Sequence, residues 1–196
     1  METAPFNVEE EARLVRKARW GNEAAFETLY RRHARAIHGL ALRLTGDPAA
    51  AEDITQDTFL RMLKFLGGLQ PDRPLRPWLR QVASNAAIDR LRRDILQGQY
   101  LSAEPGPGVA EQDSAAVMAI PADAERLLQQ LPPIARTVVW LHTAEGWSHA
   151  QLGHRFGHSE SWSKSLVSRS LAQLRAWSSA EELAAHARIS SLRSPR

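Results

Sequence analysis

Apolar residues recur at intervals of three and four residues along almost the whole chain, and no segment shows the alternation expected of a strand. This periodicity predicts helices at residues 8–20, 23–45, 48–66, 77–93, 121–130, 133–143, 148–156 and 160–178. Asn22 and Asp47 stand at expected N-cap positions, and Pro48 and Pro77 suit the first turn of a helix. We therefore expect an all-α protein.

A segment of different composition interrupts the helical pattern. Residues 94–120 include "LSAEPGPGVAEQDSAA", which is rich in Pro, Gly, Ser and Ala, and the segment carries only acidic charge. Such a composition is typical of a flexible linker. The sequence thus predicts two small helical bundles at 1–93 and 121–178, joined by a linker at 94–120. The tail at 179–196 matches no pattern and is expected to be a short helix or disordered.

The charge is informative through its distribution. Lys and Arg number 25 against 22 Asp and Glu, so the net charge of +3 says little about a nucleic-acid partner. Residues 1–93 and 124–196 each carry +4, however, whereas residues 94–123 carry −5. Nearly all the positive charge is Arg, whose forked guanidinium suits phosphate and guanine. Two basic blocks therefore flank an acidic strip.

Several classes of protein are disfavoured by what the sequence lacks. The absence of cysteine excludes a disulfide scaffold, a thiolate metal site and a cysteine nucleophile. There is no signal-peptide core and no run of about 18 apolar residues, so we expect a cytoplasmic protein. His149 and His154 are five residues apart, which does not fit a zinc-binding helix pair, and Ser159 and Ser161 have no positioned acid. We expect no catalytic residue, no metal and no cofactor, and hence no enzyme.

The second bundle contains "SHAQLGHRFGHSESWSKSLVSRSLAQLR", which predicts a helix-turn-helix motif. Ser148 is the expected cap, Gly153 lies where the two helices cross closely, and Gly157 supplies the turn. Leu152 and Phe156 are expected to face inward. The motif predicts DNA binding, and the alternative is a helical hairpin with a solvated face.

The second helix of this motif has a polar face of short hydroxyls and cations, which suits a DNA major groove. Its predicted DNA contacts are Ser161, Lys164, Ser165, Ser168 and Arg169. A helix-turn-helix usually has apolar residues where His158 and Ser163 stand here. We expect Trp162 to supply that packing.

The segment "RPWLRQVASNAAIDRLRR" predicts a helix with an unusual polar ridge. The ridge consists of Trp78, Gln81, Asn85, Asp89 and Arg92, at spacings of three, four, four and three. An indole, two amides and an Arg on one ridge suit stacking on unpaired bases and bonding to their edges. The alternative is that Trp78 belongs to the core and the amides to ordinary surface.

The helix "GDPAAAEDITQDTFLRMLKFL" is acidic on one side. We expect Ile54, Thr58, Phe59, Met62, Leu63, Phe65 and Leu66 to face inward. The opposite side carries Asp53, Gln56, Asp57, Leu60 and Lys64. An exposed Leu60 among charged residues is typical of a protein-docking patch, in which an apolar anchor has a charged rim. The alternative is a solvated helix with one stray apolar residue.

In this order the segments resemble a bacterial sigma factor of the extracytoplasmic-function (ECF) branch of the sigma-70 family. The most specific parts are "AEDITQDTFL" and "WLRQVASNAAIDRLRR", followed by "LPPIARTVVWL". The resemblance covers about residues 14–93 and 124–177. It implies a factor that docks on core RNA polymerase, recognises the −10 and −35 promoter elements and promotes promoter melting. The polymerase then makes the RNA.

The resemblance also implies a role for each surface. The polymerase would bind this chain through its β′ clamp helices, which would contact the helix that carries Asp53, Gln56, Asp57 and Leu60. The β subunit would be a further contact. The −10 element would be read by Arg76, Trp78, Gln81, Asn85, Asp89 and Arg92, together with the segment 70–76. The −35 element would be read as duplex by Ser161, Lys164, Ser165, Ser168 and Arg169. An anti-sigma factor is the implied regulator.

Two departures from the family pattern leave the promoter sequence open. The run before the Trp78 helix is "LQPDRPLRP" instead of an "RGD"-like run, and the recognition helix has Leu166 where an Arg is common. The main alternative is a stand-alone helix-turn-helix regulator that binds duplex operator DNA. An adaptor that binds only proteins is a third class.

Overall fold

The structure is a computed structural model that describes residues 8–70, 73–96 and 122–192. Within these ranges the chain forms eight α-helices and one short 3-10 turn at Leu66–Gly68, and it forms no strand. The helices are α1 (Val8–Arg19), α2 (Glu23–Thr45), α3 (Pro48–Phe65), α4 (Leu75–Leu96), α5 (Ala122–Gln129), α6 (Pro133–Thr143), α7 (His149–Phe156) and α8 (Glu160–Leu192). The expected all-α fold class is confirmed. None of the described helices is both long and apolar enough to cross a lipid bilayer.

The predicted caps form at the first helices. The Asn22 side chain accepts a hydrogen bond from the Ala25 N–H at 2.8 Å, and Asp47 accepts one from the Ala49 N–H at 3.0 Å. Each cap satisfies a backbone donor that has no partner within its helix. Pro48 occupies the first turn of α3, as expected.

Two helices, α4 and α8, extend beyond their predicted bounds. α4 ends at Leu96, so residues 94–96, which were expected to belong to the linker, belong to the helix. α4 begins at Leu75, before Pro77, because the Leu75 N–H has a partner outside the helix: it donates to Glu11 Oε2 at 2.9 Å. α8 continues to Leu192 instead of ending near residue 178. Residues 97–121, which include most of the linker expected at 94–120, lie outside the described residues, as do residues 193–196 of the tail.

The chain divides into two compact units, which contain α1–α4 and α5–α8. In the first unit the fully buried side chains come mainly from α2 and α4, and include Leu29, Ile37, Leu40, Leu44, Met62, Leu79, Ile88 and Leu91. The ring of Tyr30 on α2 packs edge-on against Phe59 of α3, with 4.7 Å between centroids. α2 is thus the central helix, against which α1, α3 and α4 pack.

A buried polar contact joins three helices of the first unit. Glu11 Oε1 lies 2.7 Å from His33 Nε2, and the other carboxylate oxygen accepts the Leu75 N–H. Burial by itself raises the pKa of Glu11, but the hydrogen bonds from His33 and Leu75 outweigh burial, and the pKa lies below its ordinary value of 4.5. Glu11 therefore holds the start of α4 against α1 and α2.

The second unit has a small core that α8 covers. Leu131, Ala135 and Val139 are buried together, and α8 packs Leu166, Leu171, Leu174 and Trp177 against them. Leu152 and Phe156 of α7 are buried as predicted. This packing determines which side of α8 faces the core, and the opposite side is exposed to solvent.

Candidate functional site

The structure exposes the polar side of α3. Asp53, Gln56, Asp57 and Leu60 are all exposed, and Leu60 retains 54% of its surface. On the buried side the hydroxyl groups of Thr55 and Thr58 donate to the backbone carbonyls one turn earlier, each at 2.7 Å. The buried hydroxyl groups of α3 are therefore satisfied within the helix.

The prediction that Leu63 and Phe65 face inward is wrong. Leu63 is 51% exposed and Phe65 is 60% exposed. Leu63 follows Leu60 by three residues and so lies beside it on the helix surface, whereas Phe65 is the last residue of α3. The apolar anchor on this side is therefore larger than a single leucine. We use the name α3 face for Asp53, Gln56, Asp57, Leu60 and Leu63.

An ion pair connects the α3 face to α4. Asp53 Oδ2 lies 3.7 Å from Arg90 Nη1, and Arg90 Nε lies 3.2 Å from Asp94 Oδ1. The guanidinium of Arg90 is thus shared between one carboxylate on each helix. Sequence periodicity did not indicate this contact, because it joins two helices.

The polar ridge of α4 lies along one side of the helix. Trp78, Asn85 and Asp89 are half-buried, whereas Gln81 and Arg92 are exposed. These five residues are called the α4 ridge below. Arg76 is also exposed, but it precedes Trp78 by two residues and, at about 100° per residue, lies on the far side of the helix from the ridge.

A cavity of about 430 Å³ lies at the start of the α4 ridge. Trp78 and Pro77 line it from α4, Val15 lines it from α1, and Leu69 and Arg73 line it from the connecting segment. Arg19 holds part of this wall, because its guanidinium donates to the carbonyl oxygens of Leu66, at 3.2 Å, and of Leu69. Within the expected base-reading segment 70–76, residues 71 and 72 lie outside the described residues. The mixture of an indole, apolar side chains and an Arg can accept a planar ring with a nearby phosphate.

The helix-turn-helix geometry follows the prediction. Ser148 Oγ accepts the Gln151 N–H at 3.1 Å, and Gln151 Oε1 accepts the Ser148 N–H at 2.8 Å, which together form a capping box. Gly157 ends α7 with a φ of 74°, a conformation that favours glycine. A Cβ on Gly153 would lie 2.7 Å from the Ser159 carbonyl oxygen, so the turn passes too close for any side chain.

Trp162 supplies the packing that was expected of it. Its ring stacks on His158 with 4.3 Å between centroids and also contacts Phe156 at 5.6 Å. Ser163 is fully buried, and its Oγ lies 3.1 Å from His149 Nδ1. The buried hydroxyl thus has a partner, and the motif is intact despite its unusual residues.

A pair of stacked imidazoles supports the same turn. The rings of His142 and His149 lie 4.0 Å apart, and His142 Nδ1 donates to the Trp147 carbonyl at 2.8 Å. Partial burial lowers the pKa of His149, and the positive charges of His142 and Lys164 lower it further, against an opposite effect of Glu160. Spacing in the sequence did not reveal this pair, because the two residues belong to different structural elements.

The outer side of α8 presents the predicted DNA contacts together. Ser161, Lys164, Ser165, Ser168 and Arg169 are all exposed, and they are called the α8 face below. Lys164 Nζ lies 2.6 Å from Glu160 Oε1, one turn earlier. The hydrogen bond from Lys164 lowers the pKa of Glu160. A carboxylate therefore stands at the edge of a surface that otherwise suits phosphates.

Metal binding has no support among the residues that the structure describes. Within those ranges, no three His, Cys, Asp or Glu side chains are grouped so that they could hold an ion.

Comparison with protein families gives two matches. The model of sigma-70 region 2 matches residues 29–94, and the model of sigma-70 region 4 matches residues 122–174. The first match covers α3 and α4 up to residue 94, and the second covers α7 and the first part of α8, which form the helix-turn-helix. The fold and these matches define a protein of the sigma-70 class.

Individual relatives identify the branch of the sigma-70 family. It is 33% identical over 165 residues to the RNA polymerase sigma factor CarQ of Myxococcus xanthus, an alignment that covers 82% of this chain and 93% of CarQ. It is 35% identical over 158 residues to the ECF RNA polymerase sigma factor SigL of Mycobacterium tuberculosis, covering 78% of this chain and 88% of SigL. The solved structure of CnrH in complex with the cytosolic domain of CnrY has 25% identity and a TM-score of 0.50, covering 87% of this chain and 98% of CnrH. The chain belongs to the ECF branch of the sigma-70 family.

Proposed function

We propose that this chain is an RNA polymerase sigma factor that docks on core polymerase through the α3 face, reads the −10 element with the α4 ridge and reads the −35 element with the α8 face. The observation that carries the proposal lies in the first unit. α3, whose exposed side suits a protein, packs directly against α4, whose exposed side suits unpaired bases. A docking helix beside a base-reading helix is what a factor that melts promoters on the polymerase requires.

The α3 face supports docking on the polymerase β′ clamp helices, with the β subunit as a further contact. Leu60 and Leu63 give an apolar anchor, and Asp53, Gln56 and Asp57 give a polar rim. Carboxylates at this position repel DNA phosphates but favour a basic protein surface and raise the association rate. The charge of α3 thus fits a protein partner better than a nucleic acid.

The α4 ridge and its cavity support reading of the −10 element as single strand. Each base that is melted from the duplex loses a few kcal/mol of stacking and pairing, so a reader must supply several contacts together. Trp78 offers a stacking surface at the cavity, and Gln81 offers an exposed amide for a base edge, at about 1–3 kcal/mol for a good bidentate pair. Asn85 is half-buried and its Oδ1 is buried, so its amide nitrogen is the atom that would donate to a base. Asp89 and Arg92 continue the same side, and Arg76 would contact DNA from the opposite side of α4.

The α8 face supports reading of the −35 element as duplex. Ser161, Ser165 and Ser168 are short enough for α8 to enter a major groove, and Lys164 and Arg169 can reach phosphates or guanine. We assign polymerase docking and reading of the −10 element to the first domain, at residues 1–93. We assign reading of the −35 element to the second domain, at residues 121–178. One chain that carries both readers raises the effective concentration of the second once the first is bound.

An anti-sigma factor is the proposed regulator, on the resemblance to the ECF branch. CnrH, a structural relative, is known in complex with the cytosolic domain of CnrY. The polymerase carries out RNA synthesis, so the proposed factor has no catalytic residue of its own. It acts in the cytoplasm, where polymerase and promoter DNA are found.

Runoff transcription tests the proposal. Purified chain and core polymerase are incubated with a library of genomic fragments, and discrete start sites that depend on the chain are the expected result. A chain that neither binds core polymerase nor directs discrete starts is not a sigma factor. Tight binding to a duplex operator without polymerase would instead support the stand-alone helix-turn-helix regulator.

The base-reading role is tested separately with Asn85→Ala. The variant is expected to slow open-complex formation on the promoters found by runoff transcription, with little effect on core binding. Gln130→Ala, an exposed amide in the second unit, is the matched control. An unchanged start rate in Asn85→Ala would remove Asn85 from the reader.

A further inference from the structure

Three aromatic rings form a column that runs from the core of the second unit to its surface. Phe156 is buried, Trp162 is half-buried and His158 is exposed. The ring of Trp162 packs against both of the others, with 5.6 Å to the Phe156 centroid and 4.3 Å to the His158 centroid. The planes of His158 and Trp162 are only 21° apart, so these two rings stack. We call the three residues the aromatic column.

The backbone also holds the outer end of the aromatic column in place. The His158 N–H donates to the Gly153 carbonyl at 2.8 Å, and the Trp162 N–H donates to Ser159 Oγ at 3.2 Å, at the start of α8. Both residues of the stack are therefore fixed at the backbone as well as at the ring. A group that is already positioned loses less conformational entropy when it binds a partner.

The ring nitrogens of His158 are not used by the fold. His142 and His149, in the same unit, each use Nδ1 in a hydrogen bond, with the Trp147 carbonyl and Ser163 Oγ respectively. Within the part of the chain that the structure describes, the imidazole of His158 takes part in no hydrogen bond or ion pair. An apolar residue, which a helix-turn-helix usually has at this position, could cover the indole by packing alone. The histidine therefore adds an exposed hydrogen-bonding group where packing requires none.

The aromatic column borders the α8 face. Trp162 directly follows Ser161 and precedes Ser165 by three residues, so it stands at one margin of that face. Glu160 stands at the opposite margin, because two residues correspond to about 200° around a helix, and its carboxylate is paired with Lys164. The imidazole that stacks on Trp162 therefore lies beside a surface that suits a DNA groove, at the margin away from the carboxylate.

We propose that His158 donates a hydrogen bond from its ring to a phosphate of the −35 duplex, and that the stack on Trp162 positions it. The proposal rests on the proposed function, since the α8 face is what brings the duplex to the second unit. An imidazole donates through one ring nitrogen when neutral and through both when charged. A phosphate suits His158 better than a base does, because phosphates flank a groove and base edges lie within it. Phosphate contacts fix the orientation of a recognition helix without reading the sequence.

Substitution by leucine separates the phosphate contact from simple packing. His158→Leu keeps an apolar cover on Trp162 but has no donor, and it is expected to weaken binding of the full chain to duplex DNA by about 3- to 10-fold, the value of one exposed hydrogen bond. His158→Gln, which keeps an N–H donor, should retain most of the affinity. The loss in His158→Leu should be equal for a promoter fragment found by runoff transcription and for a fragment of shuffled sequence, because phosphates carry no sequence information. His154→Leu, at an exposed histidine of α7, is the matched control and should bind as the unaltered chain does.

Trp162→Leu tests the positioning by the stack. It keeps an apolar side chain against Phe156 but removes the plane on which the imidazole of His158 rests, so it should weaken duplex binding by a similar factor. The double variant Trp162→Leu and His158→Leu should then bind no more weakly than Trp162→Leu alone, because both changes remove one contact. Additive losses would show that Trp162 acts independently and would overturn the positioning role. The thermal midpoint of each variant, measured in parallel, shows that the binding assay is run on folded protein.

Four results would overturn the phosphate contact. They are unchanged affinity in His158→Leu, equal losses in the Leu and Gln variants, a loss confined to the promoter fragment, and no duplex binding by the unaltered chain. Runoff transcription with the same proteins keeps this proposal apart from the proposed function. If the unaltered chain directs discrete starts while His158→Leu binds duplex normally, the function stands and the contact fails. If the unaltered chain binds duplex through His158 but directs no starts, the contact stands and the proposed function fails.

Discussion

Glu11 and His33 meet in the interior of the first unit, with 2.7 Å between Oε1 and Nε2 and both side chains buried. The second oxygen of Glu11 accepts the Leu75 N–H at the start of α4. One carboxylate therefore sets the position of the helix that carries the α4 ridge. Its removal should affect both the stability of the unit and the reading of DNA.

Glu11→Ala is expected to lower the free energy of unfolding by about 3–5 kcal/mol, because His33 and the Leu75 N–H would remain buried without their partner. Urea denaturation measures the change. Glu10→Ala is the matched control: Glu10 pairs with Arg32 at 3.0 Å on the exposed side of the same helix, and its loss should cost about 1 kcal/mol or less. Equal losses in the two variants would show that the buried contact contributes no more to the free energy of unfolding than the exposed ion pair does.

Leu60→Ala and Leu63→Ala are each expected to weaken binding to core polymerase by about 1–2 kcal/mol, as for apolar anchors at a protein interface. Their stability should be almost unchanged, because both leucines are exposed in the free chain. A titration of labelled core polymerase measures the affinity. Leu96→Ala, an exposed leucine of α4 away from the α3 face, should bind as the unaltered chain does. Full affinity in Leu63→Ala with a loss in Leu60→Ala would limit the anchor to Leu60.

Glu160→Gln is expected to raise the affinity for duplex promoter DNA by about two- to fivefold. The change removes a carboxylate from the edge of the α8 face and releases Lys164 from an exposed ion pair, which solvent screens. A gel-shift titration with a promoter fragment identified by runoff transcription measures it. Glu27→Gln is a close control, since Glu27 forms the same kind of pair with Arg31 on α2, also at 2.6 Å. Weaker DNA binding by Glu160→Gln would mean that Glu160 itself contacts DNA.

The second unit is expected to lose stability in acid. The pKa of His149 lies below the ordinary value of 6.5, so the unfolded chain takes up this proton at a higher pH than the folded chain does. The stability that neutral His149 contributes is therefore complete above pH 6.5 and is lost as the pH falls from 6.5 toward the lowered value. Thermal midpoints measured on both sides of pH 6.5 should show the decrease. His149→Gln should reduce it, while His154→Gln, on the exposed side of α7, should not. Equal pH dependence in both variants would assign the effect to other groups.

Local patterns were enough to predict much of the fold. Caps at Asn22 and Asp47, the turn at Gly157 and the close approach at Gly153 each depend on a few neighbouring residues, and all four are present. The side of α8 that faces solvent also followed from periodicity, because the apolar residues of that helix meet a core in the same unit.

Features that depend on distant residues did not follow from the pattern. Leu63 and Phe65 were expected inside because a helical wheel does not show where the neighbouring helices end. Glu11 and His33 are 22 residues apart, and neither is marked by its immediate sequence as a buried partner.

The tight turn at Gly153 has a consequence for how such a protein can evolve. A side chain at this position would collide with the Ser159 carbonyl, so a mutation there must displace the backbone that leads into α8. The residues of the α8 face are exposed, so they can be exchanged without moving that backbone. Substitutions of single residues on the α8 face can therefore change the promoter preference. Residue 153, in contrast, must remain glycine to keep the turn that orients α8.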